Sequence, residues 1–175
     1  MLQTFNEKNR DLIVNINGEL THRDAARVSP FDSAVQGGDA VWEGLRVYDG
    51  KIFRLGQHLD RLRHSAMALA FAEIPSVDAI REEIRRTLVA NEMHDNVHIR
   101  LTLTRGEKIT SGMDPRLNQL GPTLIVLAEH KEPVYGEDAI RLITSSVRRF
   151  PPDCMDPKIH HNLSLIHISE PTRPY

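Results

Sequence analysis

The chain has a single cysteine, Cys154, so no disulfide can form within it, and a lone thiol fits a reducing compartment. Aromatic residues make up only 5%, which leaves aliphatic side chains to build a core. Neither sign of charge is in excess: 22 Lys and Arg face 24 Asp and Glu, a formal net charge of −2. A nucleic-acid surface needs a basic surplus that is missing here. No apolar run approaches the roughly 20 residues that span a bilayer. The opening MLQTFNEKNRDL also lacks the apolar middle of a secretion signal. A cytoplasmic protein without membrane or nucleic-acid partners is the expectation. What is present is ordinary: 40% hydrophobic and 26% charged residues over 175 positions. That suits one domain with a real core, or one domain and part of a second, and is too apolar for a disordered chain.

Periodicity divides the chain. DLIVNINGELT reads as two short strands around Asn17-Gly18, and RVYDGKIFRL as a second hairpin around Asp49-Gly50. Over residues 57–72 the period changes: Leu59, Leu62, Ala66 and Leu69 recur at helical spacing. A second helix follows Pro75, with Ser76 as its N-cap and Val77, Ile80, Ile84 and Leu88 as its apolar stripe. VHIRLTLT (97–104) alternates as a strand does, and the apolar run 122–128 predicts a strand buried on both faces. Residues 107–121 read as a polar loop, HKEPVYGED around Pro133 as a linker, and 140–145 as a further strand. The order ββ-ββ-α-α-β-β predicts an α+β fold, a small mixed domain over residues 1–133. A second unit begins at 134 and is carried only to 162.

Several chemistries lack their motifs. There is no G-x-x-x-x-G-K-[ST] and no G-x-S-x-G, and Gly37-Gly38 is no dinucleotide fingerprint. His94 and His98 stand four apart, but a helix end and a turn are expected between them. His160-His161 has no third ligand nearby in sequence, so no metal is expected. The last thirteen residues, LSLIHISEPTRPY, break the pattern before them, and LSLIHISEPTR resembles a translated sequencing adapter. Residues 163–175 are therefore read as non-native and set aside from fold reasoning.

Three stretches in register carry a resemblance. VWEGLRVYDGKIFRLGQHLDRLRHSA (41–66) resembles the N-terminal signature of the class IV, or fold-type IV, aminotransferases, which use pyridoxal 5′-phosphate. VHIRLTLTRG (97–106) resembles the strand that follows in that family. SSVRRFPPDCMDPKIHHN (145–162) resembles the approach to its Schiff-base lysine, a K-x-x-x-N pattern. W-E-G-L-R looks most like the F-E-G-[IL]-R of branched-chain amino acid aminotransferases. The resemblance implies the small N-terminal domain of such an enzyme with its large domain cut short, hence a chain not competent alone. The parent is implied to be a homodimer acting on an amino acid and a 2-oxo acid.

Residue by residue, the resemblance places Lys158 as the lysine that bonds the cofactor. The chemistry there needs an amine able to attack a carbonyl and to carry a proton. Arg61, in HLDRL, matches the arginine that binds the cofactor phosphate, which a guanidinium pairs bidentately. Trp42 matches an aromatic lining the substrate pocket, and Arg46 and Arg100 match positions near the substrate. Arg100 is placed to receive the side-chain carboxylate of glutamate. The blander readings are an exposed loop lysine, a solvated helix arginine, a core aromatic and surface ion pairs. Gly37 stands where branched-chain members usually carry a tyrosine, and His160 and His161 where they often carry small residues. D-amino acid aminotransferases and aminodeoxychorismate lyases share the scaffold, and a non-catalytic binding domain of the same fold also stays open.

Overall fold

The computed structural model describes residues 4–133, 142–144, 151, 153, 156 and 158–162. Asn17 and Gly18 take φ of 51° and 84°, turning β1 (Ile13–Ile16) into β2 (Glu19–His22). Asp49 and Gly50, at 47° and 71°, do the same between β3 (Ala40–Tyr48) and β4 (Lys51–Ile52). Two successive positive φ values match the twist of the flanking strands. With β5 (Val97–Thr104) and β6 (Thr123–His130) these strands form one antiparallel sheet, in the order β2-β1-β6-β5-β3-β4.

Alternation decides which face is covered. Val41, Leu45 and Val47 of β3, the odd residues 97–103 of β5, and Leu124, Val126 and Ala128 of β6 are buried on one face. Over them lie α2 (Leu55–Ala68) and α3 (Val77–Ala90), whose Leu59, Leu62, Ala66, Ile80 and Ile84 complete the core. Each such Leu or Ile contributes about 2 kcal/mol on burial. The other face presents Trp42, Gly44, Arg46, His98 and Arg100, all half-buried. The result is a two-layer α+β unit with α2 and α3 on one side of the sheet.

The helix ends differ from expectation for one reason. The first helix, expected over 57–72, stops at Ala68, because Ala70 adopts φ 54°. There Phe71 N–H donates to Ala66 O and Ala70 N–H to Met67 O, a Schellman motif without the usual glycine. α3 ends identically: Glu92 has φ 53°, Met93 donates to Leu88 O and Glu92 to Val89 O. Buried Phe71 and Met93 anchor the two reversals in the core, and that packing outweighs the strain of a non-glycine left-handed residue. Ser76 caps α3 as expected, its side chain accepting from Ala79 N–H.

Other expectations are corrected in detail. The apolar run 122–128 is not buried on both faces: β6 extends to His130, and Ile125, Leu127 and Glu129 are only half-covered. A one-turn helix, α1 (Ser33–Gly37), appears where none was expected. It is capped by Asp32, a fully buried carboxylate that accepts from Ala34 N–H (2.8 Å), Thr104 Oγ1 (2.9 Å) and Thr123 Oγ1 (2.8 Å). Asp32 thus ties α1 to the ends of β5 and β6. The loop 107–121 carries a 3-10 turn, Pro115–Leu117, and a bridge between Lys108 and Asn118. His94 is exposed beyond α3 while His98 lies in β5, so no helix face holds both. The strand expected over 140–145 lies mostly outside the described residues, and its described part, 142–144, is exposed and irregular. Cys154 and residues 163–175 also lie outside them. Among the described residues, no helix is long and apolar enough to cross a membrane, and no cluster of three metal-ligating side chains occurs.

The β5–β6 connection closes on a glycine. Gly106 has φ +100°, and a Cβ there would sit 1.7 Å from Gly121 O. Gly106→Ala therefore combines a forbidden φ with a backbone clash and is expected to cost about 3–4 kcal/mol. Urea denaturation checks this, against no cost, and a gain of up to about 1 kcal/mol, for Gly56→Ala, where a Cβ meets open space inside α2.

Candidate active site

α2 presents Arg61 toward a cavity of about 500 Å³ whose walls include Gln57, His64, Ser65 and, from the other end of the chain, Lys158. Two residues that the family resemblance singled out, far apart in sequence, are thereby brought to one place. Lys158 is exposed, its backbone N–H bonded to Asp156 Oδ1 at 2.9 Å. The segment that bears it is fixed just downstream. β4 pairs only with Val47 and Tyr48, and the upstream edge of β3 is taken by residues 160–162. Trp42 N–H donates to His160 O (3.0 Å), Asn162 N–H donates to Ala40 O (2.8 Å), and Val41 bridges His161. On the helix side, His160 N–H donates to Ser65 Oγ at 3.1 Å.

The strongest electrostatic feature is not among the residues singled out in sequence. Glu43 lies on the helix-facing side of β3 with no exposed side-chain surface. Arg61 grips it with two bonds, Nε to Oε1 (2.7 Å) and Nη2 to Oε2 (2.5 Å), and His58 Nδ1 stands 2.7 Å from Oε2. His160 Nδ1 lies 3.6 Å from Oε1. Burial opposes ionisation of Glu43, but the hydrogen bonds from Arg61 and His58, the nearby ring nitrogen of His160 and the charge of Arg61 overcome it, holding the carboxyl at about 2. Arg61 is raised chiefly by the same hydrogen bonds. Its other N–H donors are not used by Glu43, so it can grip the carboxylate and still offer hydrogen bonds to the cavity. A signal for Glu43 exists in the sequence: Val41, Leu45 and Val47 are in phase on the apolar side, and a carboxylate at 43 violates that phase.

The remaining candidates sit on the opposite face of the sheet. Trp42 has Arg100 Cζ 3.5 Å from its ring centroid and the His160 ring 4.1 Å away. Two planar groups that near one centroid need opposite faces, so the indole is sandwiched, and its Nε1–H donates to His161 O (3.2 Å). Arg100 donates to Asn162 Oδ1 at 3.3 Å, and burial lowers its basicity. Arg46 donates Nη1–H to Lys131 O, while its buried Nε and Nη2 have no hydrogen-bond partner. His98, paired with Arg46 across the strands, is lowered by burial and by the cations Lys131, Arg46 and Arg100. Trp42, Arg46 and Arg100 thus share one face, Arg61 and Lys158 lie on the other, and residues 160–162 wrap the strand edge between them. Gly37, the last residue of α1, leaves open space where a side chain would project.

Because Glu43 titrates below its ordinary value near 4.5, its charge stabilises the folded state above that pH, and the gain is lost as pH falls toward 2. Glu43→Gln is expected to flatten the decline in stability between about pH 5 and 2. Glu43→Ala is expected to cost about 1–3 kcal/mol at pH 7 through the charged hydrogen bonds it loses, half-exposed Arg61 being able to turn to water. Denaturant titration across pH reads both.

Comparison with known proteins follows the same lines. The family model described as amino-transferase class IV matches residues 40–167. The branched-chain-amino-acid aminotransferase-like protein 2 of Arabidopsis thaliana is 56% identical over 162 residues, covering 92% of this chain and 29% of the relative. The putative branched-chain-amino-acid aminotransferase of Methanocaldococcus jannaschii is 40% identical over 148 residues, covering 83% of this chain and 50% of the relative. Among solved structures, the Escherichia coli branched-chain amino acid aminotransferase superposes with a TM-score of 0.69 at 26% identity, over 82% of this chain and 49% of that one. A second branched-chain amino acid aminotransferase, solved with pyridoxamine 5′-phosphate, gives 0.74 at 29%, over 87% and 52%. The chain spans under a third of the plant relative and about half of each enzyme structure. With the family model matched over most of its length and relatives 56% and 40% identical across most of it, this chain belongs to the class IV aminotransferase family.

Proposed function

We propose that this chain is part of a pyridoxal 5′-phosphate-dependent transaminase that moves an amino group between an amino acid, branched-chain or glutamate, and a 2-oxo acid. The observation that carries the reading is the shared cavity of Arg61 and Lys158. A guanidinium and a primary amine in one cavity fit the two anchoring needs of that cofactor, its phosphate and its aldehyde. When bound, the cofactor supplies the electron sink for bond breaking at the substrate Cα.

The chain's own residues then divide the work. Arg61, steadied by Glu43, holds the phosphate with its free N–H donors. Lys158 Nζ would take the proton from the substrate Cα and hold it for delivery to the carbon that began as the cofactor's aldehyde, not back to Cα. Arg46 and Arg100 receive substrate carboxylates: among the described residues neither guanidinium hydrogen-bonds to a carboxylate, and Arg46 keeps two buried donors unpaired there. The edge of Trp42 lines the same side of the sheet as an apolar wall. We read the whole protein as a cytoplasmic homodimer, a reading supported by the single cysteine, the balanced charge and the family.

Treating the whole protein with the cofactor, reducing with borohydride and mapping peptides by mass is expected to place the adduct on Lys158. An adduct on another lysine, or none, overturns the assignment. Arg61→Ala is expected to raise the half-saturating cofactor concentration about ten- to hundredfold, the worth of charged hydrogen bonds. Amino transfer that depends on glutamate and a 2-oxo acid supports the transaminase, whereas pyruvate release without an acceptor would identify a lyase instead.

A further inference from the structure

We infer that His160 is a positioning residue: its ring, reaching both Trp42 and Glu43, clamps the segment that bears Lys158 onto the edge of β3 and so holds that lysine beside Arg61. The inference rests on the reading of Lys158 and Arg61 given above. Trp42 and Glu43 are adjacent in β3 and point to opposite faces of the sheet. Only a group at the strand edge can touch both, and His160 does so. Its ring lies 4.1 Å from the Trp42 ring at an interplanar angle of 36°, and its Nδ1 is 3.6 Å from Glu43 Oε1. That nitrogen is buried and makes no hydrogen bond, so the buried carboxylate is the polar group nearest it among its recorded contacts. The backbone of the same residue is held twice, its N–H by Ser65 Oγ on α2 and its carbonyl by Trp42 N–H on β3.

One residue therefore joins helix, strand and lysine-bearing segment, two positions from Lys158 itself. The backbone bonds alone do not select a register, since any residue supplies an N–H and a carbonyl. An aromatic ring on Trp42 with a nitrogen toward Glu43 excludes the register that would seat Ile159 there, since that slip withdraws both contacts and moves Lys158 along the wall of the cavity. The opposite slip would seat His161, whose observed place is marked by its bridge to Val41 and by its carbonyl, which accepts from Trp42 Nε1–H.

The test uses the 175-residue chain and two variants. Amide exchange by NMR at Trp42 and Asn162, whose N–H groups bond across the strand edge, reads the clamp. Leu101 and Val126, in the sheet interior, report on the fold. His160→Ala is expected to speed exchange at Trp42 and Asn162 about tenfold and leave Leu101 and Val126 unchanged; wild-type rates at the first pair overturn the inference. If the Ala variant also loosens the interior, His160→Phe decides, because it keeps the ring and loses only the nitrogen facing Glu43. About threefold faster exchange confined to the strand edge then supports the clamp, and unchanged rates overturn it. The second readout, taken on the whole protein, is the preference of Lys158 for pyridoxal phosphate over pyridoxal in borohydride capture. His160→Ala is expected to lower that preference severalfold, and an undiminished preference means that His160 serves stability without placing the lysine. A wild-type chain with no phosphate preference at Lys158 would sink the cofactor reading, leaving the clamp to stand or fall on exchange alone.

Discussion

A carboxylate buried in the wrong phase of a strand is the constraint around which this molecule is arranged. Glu43 lies among Val41, Leu45 and Val47, where the sheet meets its helices. Isolated there, the charge would be expelled or neutralised by protonation. It survives because α2 brings Arg61 and His58 to its two oxygens. The bond set fixes α2 on β3 in rotation and in height, which apolar contacts alone do loosely, since Leu and Ile tolerate sliding. It also holds a half-exposed arginine at the cavity wall. Structure and chemistry therefore share one interaction.

The period of two in β3 does the rest. Odd positions turn toward the helices and even positions toward the open face, so one nine-residue strand supplies Glu43 to one cluster and Trp42 and Arg46 to another. Such a strand has an edge, and an unpaired edge invites pairing. β4 covers only its last two residues. The rest of the described pairing on that side comes from residues 160–162, remote in sequence and close to Lys158. Placement of the lysine is thus a consequence of strand-edge hydrogen bonding, with side chains choosing the register.

Much of the fold is legible in local signals. Asn17-Gly18 and Asp49-Gly50 mark both hairpins, Ser76 marks the start of α3, and the alternation over 97–104 marks β5 to the residue. The failures have a common cause in tertiary contacts. Ala70 and Glu92 end their helices in left-handed geometry with no glycine to announce it, because Phe71 and Met93 are drawn into the core. Ile125 and Leu127 look buried in sequence, yet they face the side of the sheet opposite α2 and α3. In the site, residue types and family pattern single out Arg61 and Lys158, but nothing in their spacing reveals that they share a cavity. Glu43 is legible only as a violation of phase, and His160 not at all, because its role depends on an edge that exists after the sheet forms.

The open face carries the opposite imbalance. Arg46, His98 and Arg100 lie together on neighbouring strands, and the hydrogen bonds of the two arginines go to a backbone carbonyl and an amide oxygen. Arg46 retains two buried donors without acceptors, and His98 a ring nitrogen in the same state. Buried donors left unpaired cost stability, so each calls for a completing group, whether a water, an ion or a ligand. The depression of His98 has the same origin, since burial and its cationic neighbours both disfavour further positive charge. The helix side of β3 is thus a charge balanced from within, and the open side one that an anion would balance from without. With Trp42 between His160 and Arg100, the two sides meet at a single indole, and whatever fixes that ring orders both.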